Sequence, residues 1–383
     1  MTLKMKKLIL IGGGHSHAIL LKKIGQFPLI NTQVILISNV KKTPYSGMLP
    51  GYIAGFYSDS ETHIDLITLA KFAQAQFYLD QCLGIDLENK KVFCQNTEPI
   101  SFDFLSIDIG STPDQNLITG AKKYTIPAKP VPQFLQGWNQ ILTTIKVNSE
   151  HIWVKNPLTL GIVGGGAGGV ELALNINHRL SQLLPENQFK INLINRQNNL
   201  LSNHNQWVSN RLYQLLLNEK INLYLGETVE KIDLNNIICQ SGLNVNCNFI
   251  FLVTQASAPP WIKNSGLTTD NRGFILINPY LQSISHEFIF ATGDIATMKD
   301  HPRPKAGVFA VRQGKPLFEN LHRIINDKPL KSYIPQKNHL ALIGTGNQEA
   351  IASWSKFGCQ SPLLWKLKDY IDRQFMQQFE NLI

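Results

Sequence analysis

Cysteine is sparse in this chain, and none of it is placed for thiol chemistry. The five cysteines, Cys82, Cys94, Cys239, Cys247 and Cys359, are scattered, odd in number and without a C-x-x-C pair. A disulfide frame and a thiolate metal cluster are excluded, and reduced thiols of a cytoplasmic protein are expected. No apolar run approaches the roughly 20 residues that cross a bilayer. The N-terminus, MTLKMKKLILIGG, passes straight into an apolar strand with no separate hydrophobic segment and cleavage site, so no signal peptide is expected. Charge is only mildly one-sided, +9 over 383 residues. That excess suits anionic cofactors or an anionic membrane surface without identifying either. Zinc fingers, arginine-rich arms and aromatic RNA-binding signatures are missing, which excludes nucleic acid as a partner. With 43% hydrophobic residues, what remains is a folded chain long enough for two ordinary domains and a tail.

The chain is organised around residues 8–24, LILIGGGHSHAILLKKI. Four apolar residues run into three glycines and then into helical spacing at His17, Leu20, Leu21 and Ile24. That order predicts strand, tight turn and helix. Gly12 and Gly14 leave room for the turn and for a pyrophosphate at the helix start, where backbone N–H groups and the dipole favour negative charge. The sixth position of the G-x-G-x-x-G pattern is His17 rather than glycine. The next strand, QVILIS at 33–38, ends in Ser38 and Asn39, where such folds often carry an acid for the ribose. FDFLSIDIGSTP at 102–113 is a further buried strand ending in small residues.

The pattern returns at LTLGIVGGGAGGVELALNI. Gly164, Gly166 and Gly169 complete a G-x-G-x-x-G with strand before and helix after, and KINLIN at 190–195 leads to Arg196. NFIFLVTQASAPP at 248–260 matches FDFLSIDIGSTP in kind. Two such units predict an α/β fold with two Rossmann-like dinucleotide-binding domains of the glutathione-reductase type and a C-terminal α+β tail. The expected division is 1–113 with 276–335, a connecting segment at 114–157, a second nucleotide domain at 158–275, and a C-terminal segment at 336–383. FIFATGDIA places Gly293 and Asp294 at a strand end, where the aspartate suits a polyol hydroxyl and a flavin edge, or is a surface cap. The last stretch begins with a hairpin-like element and ends in a helix with Leu363, Leu364, Leu367, Ile371, Phe375 and Phe379 along one face. Core packing, a second copy of the chain, or a peripheral contact with the cytoplasmic membrane face all require that stripe.

Taken together, GGGHSH, TPYSGMLPGYIAG, VGGGAGGVE, FATGDIA and RPKAGVFAVRQGKPL resemble the FAD-dependent pyridine nucleotide-disulfide oxidoreductases. More narrowly they resemble a branch near the type II NADH dehydrogenases, members of which occur fused to selenide, water dikinase. The resemblance implies that Gly12, Gly14, Ser16 and His17 hold the FAD pyrophosphate and that Ser38 meets the adenosine ribose. Tyr45, Ser46 and Met48 would border the isoalloxazine, and the Cys82 segment would touch adenine through its backbone. Gly110 would pass under the cofactor, Gly293 and Asp294 would meet the ribityl chain, and Ala306 to Phe309 the pyrimidine end. Gly164, Gly166 and Gly169 would take NADH or NADPH, with Glu171 on the nicotinamide side. Lys129 or Lys305 would stabilise reduced flavin. Gln313, with Arg312, partly reproduces a glutamine motif near the quinone. The implied reaction is hydride transfer from NAD(P)H to flavin, then two-electron reduction of a quinone or other small acceptor. No cysteine lies between Gly14 and Asp80, which excludes the dithiol route of glutathione-reductase-like relatives. Arg196 could pair with a 2′-phosphate where a carboxylate would repel it, so NADPH is as plausible a donor as NADH. A reductase of selenium or sulfur metabolism and a flavin-bearing docking protein are the rival readings.

Overall fold

The computed structural model describes residues 5–147, 153 and 156–382. Parts of the expected first domain (1–4), connecting segment (148–152, 154–155) and tail (383) therefore lie outside the described residues.

Two five-stranded parallel sheets carry the chain. The first runs in the order Ile289–Ala291, Phe104–Ile107, Lys6–Ile11, Thr32–Ser38, Gln76–Leu79. The second runs Ile126–Pro127, Phe249–Leu252, Leu158–Val163, Phe189–Asn195, Asn222–Leu225. Leu8 to Ile11 and Leu160 to Val163 are buried continuous apolar runs, as a parallel sheet covered on both faces requires. In each sheet the strand feeding the glycine turn is central, so each turn opens at the carboxyl edge, where α/β folds bind ligands. The helix His15–Gln26 covers the first sheet and packs on Gly307–Ile325 so closely that a Cβ on Gly314 would fall 2.6 Å from Ile19.

Each unit carries a three-stranded antiparallel meander, at Cys82–Asp86, Lys91–Cys94 and Ile100–Ser101 in the first and at Val229–Asp233, Asn236–Cys239 and Asn244–Asn246 in the second. Thr112–Pro113 and Ala256–Ser257 pair antiparallel between the units.

The packing draws the units differently from the sequence at two places. Within the expected connector, strand Ile126–Pro127 joins the second sheet, and the helix Val131–Val147 buries Phe134, Trp138, Ile141 and Ile145 in the same core. Ile262, Leu267 and Phe274, expected in the second unit, pack into the first core.

The C-terminal segment opens with the expected hairpin, Ala341–Gly344 against Ala350–Trp354, and Phe357–Ser361 extends it to a three-stranded antiparallel sheet. Its helix, Pro362–Gln377, splits the apolar stripe: Leu364, Phe375 and Phe379 pack on the core and the rest does not. Trp365, Lys368, Asp372, Phe375 and Met376 point inward, whereas Leu363, Leu367 and Ile371 are exposed. Trp365, Phe375 and Met376 supply the apolar burial on the inward face, and Lys368 and Asp372 are tolerated between them because they neutralise one another one turn apart.

Candidate flavin and nicotinamide site

Gly12 ends the first glycine strand at φ +93°, and a Cβ there would fall 2.3 Å from the Asp108 carbonyl oxygen. A side chain is therefore refused on both conformation and space. The helix that follows begins at Gly14 with no side-chain cap of its own. Ser16 and His17 turn their side chains inward. Ser16 Oγ donates to the Ala310 carbonyl at 2.6 Å. The His17 ring lies between the Gly12 carbonyl, 2.7 Å from Nδ1, and Ser106 Oγ, 2.8 Å from Nε2. Burial pulls it down to about 4, so the ring is neutral. The network assigns its proton to Nδ1, because the carbonyl can only accept. Neither side chain is left free for a phosphate, and the His17 ring is spent on the turn's own Gly12 carbonyl and on Ser106.

Around the same turn, Ser38 is buried at the strand end and its Oγ accepts from Val40 N–H at 3.3 Å. Tyr45 stacks on Phe375 with centroids 4.4 Å apart, and His15 meets both rings edge-on. Met48 is buried ahead of the helix Leu49–Ala54, and Ser46 Oγ lies 3.3 Å from where a Gly307 Cβ would stand. Cys82 sits in register opposite Cys94, its thiol pushed up to about 12 by burial.

Gly293, Asp294, Lys305, Ala306, Phe309 and Gln313 come together around one small cavity. Gln313 Oε1 accepts from Gly293 N–H at 2.7 Å. Asp294 accepts from Ser111 Oγ at 3.0 Å and pairs with Lys129. Burial raises this carboxyl, but Lys129 and Ser111 outweigh it and hold the group below the usual carboxylate value. Lys305 turns the other way: Nζ donates to Ala296 O at 2.6 Å and Thr297 Oγ1 at 2.9 Å, and burial pulls it down to about 8. Of the two lysines, only Lys129 meets the aspartate. Gly110 has open space where a Cβ would stand, and Thr292 Oγ1, beside Gly293, is buried without a partner. A helix start that its own residues leave without a side-chain cap, an open glycine and an orphaned hydroxyl fit a dinucleotide flavin.

The second turn repeats the first. Gly164 has φ +126°, and a Cβ on Gly169 would fall 1.8 Å from the Gly164 carbonyl oxygen. Gly166 starts the helix Ala167–Leu183, again without a side-chain cap, and has open space beside it. Asn195 braces the turn by accepting from Gly165 N–H at 3.1 Å, while Arg196 stands exposed beside it. These residues fit a nicotinamide dinucleotide. Glu171, one turn into the helix, is held by Gly344 N–H at 2.8 Å, and burial pushes its carboxyl up to about 6 against the pull of Lys368.

Three functional candidates escape the sequence reading: Asp108, Lys368 and Asp372. Asp108 lies 2% exposed against the first turn. Lys368 Nζ donates to the Gly47 carbonyl and to Asp372 Oδ2. Asp372 in turn faces Tyr45, whose hydroxyl is pushed above its ordinary range by burial and by that carboxylate. Tyr45, Lys368, Asp372 and Glu171 thus form a buried polar set where the first unit's loop, the second unit's helix and the C-terminal segment meet. A Lys-x-x-x-Asp step inside an apolar stripe is the signal that could have found the pair.

Among the described residues no helix is long and apolar enough to cross a membrane, and no group of His, Cys, Asp or Glu could hold a metal ion.

The chain is 22% identical over 377 residues to the NADH dehydrogenase-like protein YutJ of Bacillus subtilis, covering 96% of this chain and 99% of that one. Its fold is similar to sulfide:quinone oxidoreductase from Aquifex aeolicus, with TM-score 0.80, 16% identity, and coverage of 98% of this chain and 92% of that one. It is also similar to NDH2 from Plasmodium falciparum, with TM-score 0.77, 16% identity and 98% of each chain covered. Residues 6–314 match the pyridine nucleotide-disulphide oxidoreductase family. With both dinucleotide cradles in place, the chain belongs to that family, as an FAD-dependent NAD(P)H oxidoreductase related to the type II NADH dehydrogenases.

Proposed function

We propose that this enzyme passes electrons from NAD(P)H to a quinone-type acceptor, with FAD held by the first unit and the nicotinamide nucleotide by the second. The observation that carries the reading is the buried set Tyr45, Lys368, Asp372 and Glu171. Reduction of a quinone consumes protons as well as electrons, and Glu171, whose carboxyl burial raises to about 6, is the group of this set that can carry one. A disulfide acceptor would require thiols instead. The loop Tyr45–Met48 has none, and burial holds Cys82, Cys94, Cys239 and Cys247 protonated, pushed up to about 11 or 12.

Bound FAD supplies the two-electron carrier between nicotinamide and acceptor. The chain supplies orientation and charge. The two glycine-led helix starts receive the phosphates, the first beside the Asp108 carboxyl that accepts from His17 N–H, and the Asp294–Lys129 pair places a fixed dipole on the ribityl side. The Tyr45–Phe375 stack excludes water from one wall. Glu171 carries a proton up to about pH 6, and Lys368 holds its place through the Gly47 carbonyl. Exposed Arg196 favours NADPH by pairing with a 2′-phosphate.

A lipid-soluble acceptor also gives the terminal helix a role. Leu363, Leu367, Tyr370 and Ile371 present an exposed apolar row that rests against a membrane surface or a second copy of the chain. No feature of the site specifically favours a selenium- or sulfur-directed acceptor or the dikinase-linked branch.

The test is anaerobic NAD(P)H oxidation with a soluble quinone, polysulfide, selenite and glutathione disulfide as alternative acceptors. Turnover with quinone at least about tenfold above the others is expected, a difference of about 1.4 kcal/mol in the barrier. Equal or faster turnover with any of the others overturns the reading.

A further inference from the structure

Asp108 stands at the carboxyl end of the strand Phe104–Ile107, against the first glycine turn. Its Oδ2 accepts from the His17 N–H at 3.1 Å, so it meets the helix start where the glycine fold would receive phosphate. The carboxyl lies against bare Cα atoms on two sides. A Cβ on Gly14 would fall 2.3 Å from it, and one on Gly293 2.5 Å from Oδ1. It therefore stands on the path between the phosphate turn and the ribityl side.

The second unit shows that the fold needs no acid there. Asp108 N–H donates to Ile11 O at 2.9 Å, and Val253 N–H donates to Val163 O at 2.9 Å. Their carbonyl oxygens lie under the equivalent glycines, 2.3 Å from a Gly12 Cβ and 2.4 Å from a Gly164 Cβ. The position that is Asp108 at one turn is Val253 at the other.

The groups around Asp108 offer no cation. The neutral His17 ring spends both nitrogens on Gly12 O and Ser106 Oγ, and the His15 ring lies against Tyr45 and Phe375. From the long helix comes Ala310, whose carbonyl takes the Ser16 hydroxyl. The charged neighbour is Asp294, a second carboxylate whose own charge is already met by Lys129. Burial raises the Asp108 carboxyl to about 7 against the N–H groups of His17 and Ser16 and the Ser16 hydroxyl, and Asp294 adds to the rise.

We propose that Asp108 binds FAD as a neutral carboxylic acid that donates its proton in a hydrogen bond to the cofactor's pyrophosphate, so that cofactor release is coupled to loss of that proton. An ionised Asp108 would set a third negative charge against a pyrophosphate in a buried site. The acid form replaces that repulsion with a charge-assisted hydrogen bond. By linkage, cofactor binding takes up a proton, and affinity falls as pH rises through the titration of the free site, by at most about tenfold per pH unit.

The experiment dilutes the holoenzyme and follows the rise in flavin fluorescence as FAD leaves, between about pH 6 and about pH 8.5. No nicotinamide or acceptor is added, so the result is independent of the proposed quinone reaction. The wild type should release FAD at least about fivefold faster at the upper pH, and Asp108→Asn, which keeps a donor and cannot ionise, should show a flat profile. A flat wild-type profile, or the same rise in Asp108→Asn, overturns the proposal. Should the variant not fold, the infrared carbonyl band of a protonated carboxyl in wild-type holoenzyme decides. Loss of that band in step with FAD release supports the assignment, and its absence at pH 7 overturns it.

Discussion

Lys368 and Asp372 form an ion pair at 2.7 Å with 9% and 6% of their side chains exposed, and Lys368 also holds the Gly47 carbonyl. A single turn of the terminal helix is thereby fastened to the loop that carries Tyr45. Lys368→Met leaves Asp372 buried and unpaired, at a cost of about 3–5 kcal/mol. Thermal unfolding of the holoenzyme should fall by several degrees, and Lys368→Met/Asp372→Leu should recover most of the loss. A single variant that melts with the wild type would remove this pair from the account.

The proposed role of Glu171 predicts that acceptor reduction is sensitive to pH. Burial raises its carboxyl to about 6, so it carries a proton below that pH and gives it up above. Quinone turnover in the wild type should decline from about pH 6 upward, by at most about tenfold per unit. Glu171→Gln should be slower at low pH and lose that limb of the profile. An unchanged limb would place the titrating group elsewhere.

The glycine turns can be separated by substitution. Gly169→Ala drives a methyl to 1.8 Å from the Gly164 carbonyl, so the turn must open. The protein should stay yellow while its dissociation constant for NAD(P)H rises at least about tenfold, or about 1.4 kcal/mol. Gly12→Ala should do the reverse, losing flavin. Fluorescence titration of the nucleotide and the flavin absorbance of the purified variants read the two effects.

These turns are the part of the molecule most legible in its sequence. A glycine that must avoid a carbonyl at near-contact distance leaves a local mark, and the strand and helix around it announce themselves by period. Asp108 was less visible, although the comparison that exposes it was at hand. FDFLSIDIGSTP and NFIFLVTQASAPP resemble one another, and the informative feature is the one position where an acid replaces a valine. The terminal helix misleads for a different reason. Periodicity finds an apolar stripe but not which side the core takes, and the buried face also carries the Lys368–Asp372 pair, which no apolar period marks. The roles of Ser16 and His17 could not be divided between side chain and backbone until the partners of Oγ and the ring were known.

The proposed pairing of Arg196 with a 2′-phosphate predicts a preference for NADPH. Its guanidinium is exposed beside the second turn, while Asn195 is occupied with Gly165. Arg196→Ala should raise KM for NADPH about tenfold and leave NADH within about twofold, the loss of one exposed charge-assisted contact. Equal effects on both nucleotides would assign Arg196 a role in the turn and not in phosphate recognition.

If the exposed row on the terminal helix rests against a membrane and not a second copy of the chain, it makes a lipid contact that substitution removes. Leu367→Glu and Ile371→Glu each place a charge on that face without entering the core. Sedimentation with anionic vesicles should fall sharply for either variant. Undiminished binding would exclude this face as the contact.

The most direct test of the central claim is an anaerobic double-mixing experiment that follows flavin absorbance. The holoenzyme is first mixed with NADPH or NADH, then, once bleached, with a soluble quinone. Bleaching in the first step and return of the yellow colour in the second, at a rate at least equal to steady-state turnover, is the predicted result. Flavin that neither nucleotide bleaches, or bleached flavin that quinone leaves colourless, would contradict it.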